Sequence, residues 1–244
     1  MEDIIYGRNS VMELLTSTSR TINKLLIIKG DSQGSIKKII SLAREKHIVI
    51  SEVTKQKMDE LAEGGNHQGV IALTTAYEYC EIDDILSVAK ERKENPFIII
   101  LDGIEDPHNL GAIIRTCECA GVHGVIIPEN RACEVNATVY KTSAGAVVNT
   151  KVAMVTNLTR TINDLKSRNI WVYALEAGNK KLYSADFTYP TALVIGSEGK
   201  GVSRLVLENV DEVLSIDLKG KVNSLNASNA GAIAIYEVVR QRSR

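Results

Sequence analysis

The chain has 244 residues, of which 44% are apolar and 24% charged. That is a length for one large domain or two modest ones and the composition of an ordinary globular protein, which excludes collagen-like, disulfide-scaffold and wholly disordered classes. Lys plus Arg number 29 against 30 Asp plus Glu, a formal net of −1, so no global positive field draws the chain to nucleic acid or an anionic membrane, and any such partner needs a local patch.

The start of the chain, Met1-Glu2-Asp3-Ile4-Ile5, is acidic with a short apolar run, and the longest aliphatic run lies at 97–101. The expectation is no signal peptide, no membrane span and a cytoplasmic protein. Cys80, Cys117, Cys119 and Cys133 form no CxxC pair, and His47, His67, His108 and His123 are scattered, which predicts reduced thiols and no metal site.

Residues 1–77 alternate helix and strand patterns. Asn9 and Ser10 offer a cap before Val11, Leu14 and Leu15; a strand at 25–28 precedes an amphipathic helix through Ile36, Ile39, Ile40 and Ala43, and strands follow at 48–53 and 69–73. This is a small α/β domain. Residues 78–95 carry six acidic against three basic residues and read as an acidic linker with a short helix at 82–89. All four prolines (Pro96, Pro107, Pro128, Pro190) lie beyond it. There, nearly continuous aliphatic strands at 97–101, 122–127, 170–175, 192–195 and 213–216 alternate with helical segments, the pattern of a parallel sheet covered on both faces. Residues 96–244 form this second domain.

Ligands of open parallel sheets collect at the carboxyl ends of the strands, so the loops after the apolar runs carry the functional information. The first runs from Asp102-Gly103 through Asp106-Pro107-His108-Asn109 into a helix with Leu110, Ile113, Ile114 and Cys117 on one face. Asn109 is a suitable N-cap, and Arg115, off the apolar stripe, offers a permanently charged fork for a phosphate or carboxylate. The second reads Gly196-Ser197-Glu198-Gly199-Lys200-Gly201-Val202-Ser203-Arg204, glycine-rich enough for close backbone approach to a ligand. A dinucleotide fingerprint fails at Arg204, and a P-loop fails because Gly201 follows Lys200. In the third, Asn223, Ser224, Asn226 and Ser228 crowd the start of a helix bearing Ala227, Ala230, Ala234 and Val238 at helical spacing, a small-residue face suited to close packing, with a second subunit as one candidate.

Together these stretches resemble the three signature motifs of the SpoU/TrmH family of RNA ribose 2′-O-methyltransferases: Asp102-Gly103…Asp106-Pro107-x-Asn109-x-Gly111…Arg115, Gly196-x-Glu198-Gly199-x-Gly201, and Ser224-Leu225-Asn226-x-Ser228. Tyr6-Gly7-Arg8-Asn9 and Gly65-Asn66-His67-Gln68-Gly69-Val70 resemble the family's small substrate-binding domain. The resemblance implies a small α/β domain of ribosomal-protein-like fold followed by a knotted, SPOUT-type parallel-sheet domain. It also implies a homodimer, S-adenosylmethionine as cofactor, and an RNA substrate, with neither membrane nor DNA as partner. The nearest branch methylates a guanosine ribose in 23S rRNA; a tRNA target within the same family and an inactive RNA-binding protein are the rival readings. By resemblance, Gly196, Gly201, Ile216 and Leu225 are cofactor positions, and Asn109, Arg115, Glu198, Ser224 and Asn226 are active-site positions. Arg115 would activate the 2′-OH, through its field or as the base, while Glu198 and Asn226 hold it and the ribose in register. Asp217-Leu218 departs from the family's Pro-Met, setting a charge beside the implied cofactor pocket.

By segment, the net charge is +1, −3 and +1. Phosphate-facing candidates are Arg8, Arg115, Lys200, Arg204, Lys219 and Lys221, with a basic tail of Arg240, Arg242 and Arg244.

Overall fold

Short apolar strands alternating with amphipathic helices build two separate sheets. The structure, a computed structural model, describes residues 3–17, 21–30, 34–221 and 224–243; Asn223 and Arg244 lie outside them. Contacts group the chain into two units, residues 1–78 with 134–149, and residues 79–133 with 150–244.

The first unit contains β1 (Asp3–Tyr6), α1 (Arg8–Thr16), β2 (Ile22–Ile28), α2 (Ser35–Glu45), β3 (Ile50–Val53), α3 (Lys55–Leu61) and β4 (Val70–Thr74). The strands lie in the order β1-β4-β2-β3, antiparallel except for the parallel β2–β3 pair. The residue period of two splits β4: Ile71 joins Leu26 beneath Met58 and Ala62, whereas Val70 and Ala72 are buried in the opposite direction. Helix α1 begins earlier than Asn9 and Ser10 suggest. Gly7, at φ 96°, turns the chain, and the Arg8 N–H donates to Gln68 Oε1 at 2.8 Å. Ser10 is buried instead, its hydroxyl donating to the Tyr140 carbonyl. The two motif stretches of this unit therefore meet, and the Arg8 Nε–H also donates to the Gln68 carbonyl at 2.9 Å.

The second unit contains α4 (Ile82–Arg92), β5 (Phe97–Asp102), α5 (Pro107–Cys119) and β6 (Gly124–Pro128). After α6 (Ala137–Thr142), which belongs to the first unit, come β7 (Val152–Val155), α7 (Leu158–Ser167), β8 (Trp171–Lys181), β9 (Thr191–Gly196), α8 (Arg204–Leu207), β10 (Glu212–Ser215) and α9 (Ala227–Arg242). All six strands are parallel, in the order β10-β8-β9-β5-β6-β7. Ile98, Ile100, Val172 and Val194 pack with Ile85 of α4, Ile162 and Leu165 of α7, and Val206 of α8. Alternate residues Ile99, Leu101, Leu193 and Ile195 are buried the other way, on the side of α5 and α9. Full burial of such side chains is worth roughly 1.5–3 kcal/mol each, so both helical layers are held firmly.

Two sequence expectations are corrected here, and the close packing expected of α9 is located. The acidic segment is no free linker: Ile85 is fully buried, Cys80 bridges Ala153, and a Cβ at Gly124 would overlap Ile85. The charge count hides the helical spacing of Ile82, Ile85, Leu86 and Ala89. The small-residue face of α9 is used within the subunit, where a Cβ at Gly231 would stand 2.8 Å from Ile195 Cδ1. Two of the three arginines of the basic tail are spent as well, Arg244 lying outside the described residues. Arg240 forks onto buried Glu237 at 2.7 Å, and Arg242 donates to the carbonyls of Asn95, Pro96, Phe187 and Tyr189. No helix among the described residues is long and apolar enough to cross a membrane.

At the amino end of the sheet, the Phe97 N–H donates to His123 Nδ1 at 2.9 Å, so Nε2 carries the proton facing Glu94 at 2.9 Å. Burial lowers the His123 pKa from its ordinary value, and the Glu94 carboxylate only partly opposes this. The unfolded chain therefore takes up a proton near pH 6.5 that the folded chain resists. Stability is complete above that pH and falls as the pH drops toward the folded-state pKa. The melting temperature is expected to decline between pH 7 and 5, with a shallower decline in His123→Asn, measured by calorimetry against the parent chain.

Candidate functional site

The order of strands reverses beside β5, whose last residue, Asp102, pairs with Gly196 at the end of β9. Beyond these ends, three loops converge.

In the first, Asp106 rather than Asn109 caps α5: its carboxylate accepts the His108 N–H at 2.9 Å, and Pro107 takes the first helical position, where no N–H is needed. Asn109 is thereby released from capping, and its Oδ1 accepts from Asn226 Nδ2 at 3.0 Å. In the second loop, Ser197 and Gly201 exchange backbone hydrogen bonds of 2.9 and 3.2 Å, closing a tight turn. Gly201, at φ 65°, has no room for a side chain because the Glu176 carboxylate lies against it. Two carboxylates from other strands hold the exit of this turn, Glu176 Oε2 accepting the Val202 N–H at 2.9 Å and Asp102 Oδ2 the Ser203 N–H at 2.7 Å.

The third loop ends at Asn226, the N-cap of α9. Its Oδ1 accepts the Ser228 and Asn229 N–H groups at 2.9 and 3.3 Å and the Ser228 hydroxyl at 2.5 Å. Those donors fix the amide orientation, so Nδ2 points outward, to Asn109 Oδ1 and Glu198 Oε1. The consequence passes down the chain of bonds: Asn109, having turned its oxygen to Asn226, presents its own NH2 away from the cluster. One amide thus ties all three loops together.

Beside this cluster lies a cavity of about 580 Å³. Gly196, Gly201, Ile216 and Leu225 all line it, as do Glu198 and Ser224. Asn109 and Asn226 stand behind that lining. Arg115 is not joined to the cluster: six residues after Asn109, it stands about 9 Å further along the helix axis and on another side of it. Arg115 and Lys200 are exposed and hold no side-chain hydrogen bond or ion pair among the described residues. Other candidate cations are engaged, Arg204 with Glu208 at 2.8 Å and Lys219 with Asp217 at 4.0 Å. Asp217 pairs with Lys181 at 2.8 Å, and that ammonium group holds its carboxyl below the usual carboxylate range. The charge that replaces the family's apolar residue is therefore neutralised locally.

Sequence reasoning missed Glu176. The signal was present, since Glu176 directly follows the apolar run of β8, at the point where the strand's pairing with β10 is interrupted.

Residues 96–236 match the SpoU rRNA Methylase family, and residues 4–80 match the RNA 2′-O ribose methyltransferase substrate-binding family. A TrmH family tRNA/rRNA methyltransferase of Bacillus subtilis (strain 168) is 45% identical over 242 residues, covering 99% of this chain and 96% of that protein. Among solved structures, the SpoU methyltransferase AviRb from Streptomyces viridochromogenes, in complex with AdoMet, superposes with a TM-score of 0.83 at 23% identity, covering 99% of this chain and 91% of that one. A TrmH/SpoU tRNA modifying enzyme of A. aeolicus gives a TM-score of 0.55 at 28% identity, covering 65% of this chain and 84% of that one. The parallel-sheet unit with its preceding substrate-binding unit defines an RNA-modifying methyltransferase. The chain belongs to the SpoU (TrmH) family of RNA methyltransferases.

Proposed function

We propose that this protein is a cytoplasmic homodimer that uses S-adenosylmethionine to methylate the 2′-OH of a guanosine in 23S rRNA. The observation that carries the reading is the Asn226 amide, which binds the three motif loops into one polar cluster at the edge of the cavity. An inactive RNA-binding protein would have no use for that convergence. The cavity suits the cofactor: Ile216, Leu218 and Leu225 offer apolar wall to an adenosine, and Gly196 and Gly201 let the turn beside it close, since a Cβ at either would overlap the turn's own backbone or the Glu176 carboxylate. When bound, S-adenosylmethionine supplies a methyl group activated by a sulfonium.

The chain's own residues must orient and activate a ribose hydroxyl, a poor nucleophile at neutral pH. In this reading the outward NH2 of Asn109 and the hydroxyl of Ser224 bind ribose oxygens. Glu198, held through one oxygen by Asn226, keeps its other oxygen to accept a hydrogen bond. Arg115 makes no bond to the cluster, so its assigned role is through its charge: reaching toward the bound ribose with its long side chain, it stabilises the developing alkoxide, a task that asks less of a guanidinium than acting as base. Arg115→Ala is expected to bind cofactor as the parent does and to lose about a hundredfold in transfer rate.

Support for an rRNA target comes from the match of residues 96–236 to the SpoU rRNA Methylase family and from the likeness to an rRNA methyltransferase of Sinorhizobium meliloti along 98% of the chain, against 65% for the tRNA enzyme. A dimer would cover Ile233 and Tyr236, exposed apolar side chains one turn apart on α9. Primer-extension mapping of RNA from a strain lacking the protein tests the target. Loss of one 2′-O-methylguanosine stop in 23S rRNA is expected, and loss of a tRNA stop instead would overturn it.

A further inference from the structure

The geometry points to Glu176 as a specificity-determining residue of the cofactor cavity, a fixed carboxylate that favours a cationic ligand over its neutral counterpart. This rests on the cofactor reading above, and goes beyond it by assigning a selection between cofactor and spent product.

Residues 175–179 of β8 have no partner on β10, whose ladder jumps from Ala174 to Lys180. The released segment turns Glu176 onto the cavity wall. Glu176 Oε1 accepts the Ala177 N–H at 2.9 Å and Oε2 the Val202 N–H at 2.9 Å. With both oxygens accepting backbone N–H groups, the side chain has little freedom. It makes no ion pair among the described residues. The lysines on its own strand are committed elsewhere, Lys180 to Glu212 and Lys181 to Asp217. A carboxylate on this partly apolar wall, with no cation paired to it among the described residues, complements a positive ligand. The clamp on Val202 and the charge in the cavity are thus two services of one side chain.

S-adenosylmethionine and S-adenosylhomocysteine share adenosine, ammonium and carboxylate groups and differ in the methyl and the positive charge at sulfur. The change in their affinity ratio between parent and variant therefore cancels the methyl and isolates the charge. Calorimetric titration of the full chain with each ligand is the test. Glu176→Gln is expected to weaken S-adenosylmethionine about tenfold more than S-adenosylhomocysteine. Asp102→Asn, which loosens the same turn at Ser203 from a residue off the cavity wall, is expected to weaken both alike. Equal weakening in Glu176→Gln, or no change in either affinity, overturns the inference. A parent chain that binds neither ligand overturns the functional reading instead. Should Glu176→Gln fail to fold, the parent is titrated with an analogue bearing a protonated amine at the sulfur position. Tighter binding than the thioether supports the assignment, and parity overturns it.

Discussion

Asn226→Ala is expected to lower the methyl-transfer rate about a thousandfold and to destabilise the second unit by about 1–2 kcal/mol. The stability loss comes from the cap, because Oδ1 satisfies two orphan N–H groups at the start of α9. The rate loss comes from the other end of the amide. Without Nδ2, Asn109 and Glu198 lose their shared donor and the three loops lose the bond that sets their spacing. Precise alignment of bound reactants is worth several kcal/mol, so a modest loosening is costly. Asn226→Asp separates the two effects. It keeps the capping oxygen but turns a second oxygen toward Asn109 Oδ1 and the Glu198 carboxylate, replacing attraction with repulsion. Its melting temperature is expected near the parent's, with activity as low as that of the alanine variant. Single-turnover rates and calorimetry on both proteins check this, and an active Asp variant would show that the cluster plays no part in alignment.

Much of this site was legible because the rule that ligands gather at strand ends is local. An apolar run followed by glycine or a crowded cap is visible without knowing the fold, and Gly196, Gly201, Ile216 and Leu225 were found that way or by resemblance. What escaped depends on partners distant in sequence. Asp106 and Asn109 are both competent caps, and Pro107 between them decides in favour of Asp106. Arg240 and Arg242 read as a basic tail until the buried Glu237 and the carbonyls of 95–96, 187 and 189 take up their donors. Strand β7 is a four-residue run, Val-Ala-Met-Val, without the isoleucines that mark β5 and β6. The Ala and Gly positions of α9 announced close packing but not the identity of the neighbour, which is Ile195 of the same chain. Charge counts misled most in the acidic segment, where composition outweighed the spacing of Ile82, Ile85 and Ala89.

Gly196→Ala is expected to weaken cofactor binding by more than about a hundredfold and so to abolish activity at ordinary cofactor concentrations. A Cβ at this position would overlap the backbone of Gly201 and Val202 rather than a side chain that could turn aside. That backbone has nowhere to go. The Ser197–Gly201 pair closes the turn from one side, and Glu176 and Asp102 hold the next two amides from the other. Relief must come from displacing the whole turn, which carries the cavity wall with it. Gly199→Ala is the matched control, since a Cβ there meets nothing within 4 Å and its backbone is not in the left-handed region. It is expected to bind cofactor within about twofold of the parent, because a substitution clear of such features shifts free energies by less than about 0.5 kcal/mol. Titration of both variants with S-adenosylmethionine, alongside their melting temperatures, decides the matter: equal tolerance at 196 and 199 would mean that the turn is compliant and that the cavity is not shaped by its glycines.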